Sequence, residues 1–84
     1  ESLDFVYIDS NHKFDYVMED IIEWSKIVRP GGIVSGHDFT KGNVSHTFKF
    51  GVIEATTVYT TVHQIKPWFV FGGERSATWF WVKI

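Results

Sequence analysis

The sequence predicts an α/β fold, with element order β-α-β-α-β-β, a mostly parallel sheet and an antiparallel last strand. Three observations carry this. Short apolar runs recur at Leu3–Ile8, Ile33–Ser35, Trp68–Phe71 and Thr78–Lys83. The first three alternate with segments of helical period, the pattern of crossovers between parallel strands. The last run follows its predecessor after a short Gly72-Gly73-Glu74-Arg75 turn, so it returns antiparallel to it.

Leu3 to Ile8 is a continuous apolar run broken only by Asp4, which suits a strand buried on both faces. From His12 the period changes. Phe14, Val17, Ile21, Trp24 and Val28 recur at three and four, which predicts one helix face. Asp15 falls in the first turn, where the helix dipole favours an anion. Arg29-Pro30-Gly31-Gly32 combines a cation, a proline and glycines, and stops the helix. Ile33-Val34-Ser35 then reads as the second strand. Thr40 to Phe50 reads as a polar loop. Val52 to Gln64 predicts a second helix, with Val52, Ala55, Val58, Tyr59 and Val62 on its apolar face, although its threonines lower helix propensity. In the last strand Trp79 and Trp81 point one way, Phe80 and Val82 the other.

At 84 residues the chain is one domain at most. It opens on Glu1 and its only methionine is Met18, so residues 1–84 are expected to be a single partial domain of a longer chain. Domains of this size bury only about 60% of their unfolded surface, yet the chain carries eight Phe, four Trp and three Tyr. A net charge of −2 with scattered Lys and Arg leaves no footprint for nucleic acid. No apolar run has membrane-spanning length, and no signal peptide is visible. The absence of cysteine excludes disulfides and thiolate metal sites. A cytoplasmic location is the expectation.

The polar residues cluster at strand ends. Asp9, Ser10, Asn11 and His12 close the first strand, and Gly36-His37-Asp38 closes the second. In an open parallel sheet, functional groups gather at the carboxyl ends of strands. Neighbouring strands are about 4.8 Å apart, so Asp9, His12, His37 and Asp38 would share one rim if these two strands are adjacent. Two carboxylates and two imidazoles so placed suit either a divalent cation such as Mg²⁺ or acid–base work, with His12 as a general base. Ordinary structure explains the same residues. Asp and Asn after a strand form turns and cap helices. His46 and His63 read as solvated side chains.

The stretches LDFVYIDSNHKFDYVMEDI and VRPGGIVSGHDF, with the closing GGERSATWFWVKI, resemble class I S-adenosylmethionine-dependent methyltransferases, nearest their metal-assisted O-methyltransferase-like branch. The resemblance spans the fourth strand, the following helix, the fifth strand and the terminal hairpin of that Rossmann-like fold. It implies that Asp9 and Ser10 lie at the S-adenosylmethionine site. It further implies that Asp9, His37 and Asp38 hold a divalent metal, and that His12 is the catalytic base toward a small-molecule or sugar hydroxyl. His37 departs from the pattern, since that position is often Asp or Glu.

The family's glycine-rich loop and ribose-binding acid belong to its first two strands, and nothing here corresponds to them. Gly31-Gly32 precedes a strand and opens no helix, so it cannot substitute. The chain therefore reads as the C-terminal half of such a domain, inactive alone. Two successive right-handed crossovers place both helices on one sheet face. The bare face, or the edge of the first strand, is expected to drive self-association. The competing reading is a non-catalytic α/β association module of the same architecture. A phosphoacceptor receiver is disfavoured, because Lys66 precedes its strand instead of following it.

Overall fold

The computed structural model describes residues 3–9, 13–37, 39, 43–45, 48–49, 51–72 and 77–84. The elements run β1 (Leu3–Ile8), α1 (Phe14–Ser25), β2 (Val28–Gly36), β3 (Asn43–Ser45), β4 (Phe48–Lys49), α2 (Val52–Val62), β5 (Phe69–Gly72) and β6 (Ala77–Val82). The alternation expected from sequence is present, with one addition. The stretch expected to be a loop contains the small antiparallel pair β3–β4.

The expectation of a mostly parallel sheet is corrected. The main sheet has the order β1-β2-β6-β5. Only β1 and β2 are parallel, while β2–β6 and β6–β5 are antiparallel. β5 runs in the same direction as β1 and β2, but β6 is inserted between it and β2. Burial explains the insertion. All four residues of β5 are exposed, which suits an edge, whereas Trp79 and Trp81 of β6 are buried beneath the helix layer over the middle of the sheet.

β2 begins at Val28, earlier than the sequence suggested, so Val28 is a strand residue and not part of the helix face. The register with β1 jumps from Leu3↔Val28 to Phe5↔Ile33, leaving Arg29 to Gly32 as a bulged excursion. Gly31 takes φ +89°, a conformation open to glycine and strained for other residues. Beyond the excursion the pairing is regular through Ile8↔Gly36.

Both helices lie on one face of the sheet and pack against each other. The core between the layers comprises Val6 and Ile8 of β1, Val28 and Val34 of β2, Trp79 and Trp81 of β6, Val17 and Ile21 of α1, and Val52 and Ala55 of α2. Trp79 stacks on Trp81 at 5.1 Å between ring centroids, and Tyr59 of α2 continues the column at 5.7 Å from Trp81. The Tyr59 hydroxyl lies 3.0 Å from Ser25 Oγ of α1. Ser25 already donates its one proton to the Ile21 carbonyl at 2.6 Å, so Tyr59 is the donor between them.

The buried helix stripes differ from those expected. In α1 they are Val17, Ile21 and Ser25, while Phe14 and Trp24 are exposed. In α2 they are Val52, Ala55, Thr56 and Thr60, while Val58 and Val62 are exposed. Thr56 and Thr60 enter the core because each hydroxyl donates to the carbonyl four residues earlier, at 2.8 Å in both cases. α1 carries no basic residue in its last turn. Its end is capped from the sheet instead. Lys83 Nζ donates to the Ser25 carbonyl at 2.8 Å and to the Val28 carbonyl at 2.6 Å.

Candidate functional site

The carboxyl ends of β1 and β2 meet at one rim, and the pairing of the two strands continues to it. The His37 backbone N–H donates to the Ile8 carbonyl at 3.1 Å. Ser35 Oγ donates to the Val6 carbonyl at 2.7 Å, adding a side-chain tie between the same strands. Asp9 follows Ile8 and is exposed. His37 follows Gly36 and is half-buried, with its ring 6.2 Å from that of Tyr7. The backbone thus carries Asp9 and His37 at neighbouring strand ends.

The packing beneath explains why His37 sits there. Gly36 lies against the indole of Trp79, and a Cβ at Gly36 would fall 2.5 Å from Trp79 Cε2. A larger residue would push the strand end off the core. Trp79 Nε1 is buried with no hydrogen-bond partner among the described residues. Phe39 returns the chain to the sheet, its N–H donating to the Ala77 carbonyl at 3.0 Å while its ring meets Trp68 edge-on at 5.9 Å.

Both helices start at this rim. Gly51, the N-cap of α2, lies against the first residue of α1, where an added Cβ would fall 2.5 Å from the Phe14 nitrogen. The positive ends of two helix dipoles are therefore adjacent, an environment that favours anionic groups on a ligand. The N-cap of α1 is Lys13, whose side chain makes no cap hydrogen bond.

Of the residues singled out from sequence, Asp9 and His37 are brought together. Ser10, His12 and Asp38 lie outside the described residues. Among the described residues, no three His, Asp or Glu side chains form a group able to hold a metal ion. Asp9 and His37 alone supply too few ligands for a divalent-cation site. Sequence reasoning missed the two helix N-termini at the rim, though Gly51, a residue type accepted at the N-cap, stands just before the Val52 helix.

The opposite face of the sheet carries no helix among the described residues. Phe5, Tyr7, Ile33, Phe69 and Phe71 are exposed there, and a shallow hollow of about 390 Å³ lies between Phe5, Tyr7, Ser35, Phe71, Thr78 and Phe80. No helix among the described residues is long and apolar enough to cross a membrane.

Residues 1–39 match a family model described as a methyltransferase domain. The matched segment is just under half of the chain and holds β1, α1, β2 and both strand ends of the rim. The match supports a methyltransferase domain. No curated protein and no solved structure matches the chain.

Proposed function

We propose that the chain is the C-terminal half of an S-adenosylmethionine-dependent methyltransferase domain directed at an oxygen acceptor. The observation that carries this is the rim. The segment matching the methyltransferase family ends in two adjacent parallel strands whose tips bear Asp9 and His37. The edge position of β1 supports the half-domain reading, since it leaves one side of that strand open for upstream strands to extend the sheet.

S-adenosylmethionine supplies a methyl group made electrophilic by its sulfonium. In this reading Asp9 and Ser10 bind the cofactor at the tip of β1, and His12 takes the proton of the acceptor hydroxyl on its imidazole. The acceptor is a small molecule or a sugar. The resemblance implies help from a divalent cation, but the described residues do not form its site, and no step is assigned to it. The glycine-rich cradle expected of such a domain has no counterpart in this sequence, so the 84-residue chain should bind the cofactor weakly and not turn over.

Calorimetric titration tests this. The 84-residue chain should give no saturable heat with S-adenosylmethionine, while a chain carrying an upstream strand and glycine-rich turn should bind. Micromolar binding to the 84-residue chain would refute the half-domain reading. A non-catalytic association module is a second reading, favoured by the uncovered apolar face. It requires that Asp9→Ala and Asp38→Ala leave the activity of the longer protein unchanged.

A further inference from the structure

We draw no further inference here: the strongest candidate, the hollow of about 320 Å³ between the carboxyl ends of α1 and α2 and the end of β6, has Lys83 already donating to the Ser25 and Val28 carbonyls, Tyr59 to Ser25 and Lys26 to Glu23, and nothing in the structure shows what fills it.

Discussion

Replacing Gly36 by alanine puts a methyl group into the stacked tryptophans that support the rim. The added Cβ would fall 2.5 Å from Trp79 Cε2 and 2.8 Å from Nε1. Those atoms belong to a fused ring, not to the end of a flexible chain. Trp79 is 1% exposed and stacks on Trp81, itself 2% exposed, so the indole cannot withdraw without displacing the column behind it. Overpacking a core commonly costs 1–3 kcal/mol, and the rigidity of both partners places this case near ~3 kcal/mol. A domain of this size loses roughly 4–8 °C in Tm per kcal/mol, so a fall of at least about 10 °C is expected. Urea denaturation followed by near-ultraviolet circular dichroism would measure the stability directly. Adding Trp79→Phe should relieve the clash, giving a coupling of about 1 kcal/mol or more in a double-mutant cycle. If Gly36→Ala stays within about 0.5 kcal/mol of the parent, the variant behaves like an ordinary surface change, and the close approach of Trp79 to the strand end is refuted.

Lys83→Met keeps the aliphatic stem but removes both hydrogen bonds to the carbonyls of Ser25 and Val28. It should lower stability by about 1–3 kcal/mol in denaturant titration, and an unchanged midpoint would mean that α1 needs no cap from the sheet. Asp9→Ala is different, because Asp9 is exposed and its removal should leave stability within about 0.5 kcal/mol. In a longer chain with activity, the same change should abolish methyl transfer, and retained activity would remove Asp9 from the site.

Much of the fold was legible because two periods change cleanly along the chain. The apolar run from Leu3 to Ile8 and the helical spacing of Val17 and Ile21 identified β1 and α1, whereas Arg29-Pro30-Gly31-Gly32, expected to stop the helix, lies inside β2, the helix having already ended at Ser25. The opposite facing of Trp79/Trp81 and Phe80/Val82 was also readable, and so was the placement of both helices on one face. The antiparallel return of β6 along β5 was legible, but its insertion between β2 and β5, which makes the sheet mostly antiparallel, was not. Gly72-Gly73-Glu74-Arg75 does join an antiparallel pair, although residues 73–76 lie outside the described residues.

The helix faces were misread for a physical reason. A helix lying on one sheet buries only a narrow stripe, so Phe14, Trp24, Val58 and Val62 stay outside despite their apolarity. Thr56 and Thr60 replace them because a threonine that bonds its own helix backbone presents only a methyl group to the core. For the candidate site, what was legible is the placement of two residues at strand ends. Asp9 and His37 stand where adjacent parallel strands must deliver them, whereas Ser10, His12 and Asp38 fall outside the described residues.

The neighbouring placement of Asp9 and His37 is tested most directly by nuclear Overhauser contacts across the ends of β1 and β2. The His37 amide bonds to the Ile8 carbonyl, which turns the Ile8 Hα away from β2 and predicts a strong cross-peak between the Asp9 Hα and the His37 amide proton. Absence of that contact, with β1 paired to a different strand, would separate the two side chains and dissolve the shared rim.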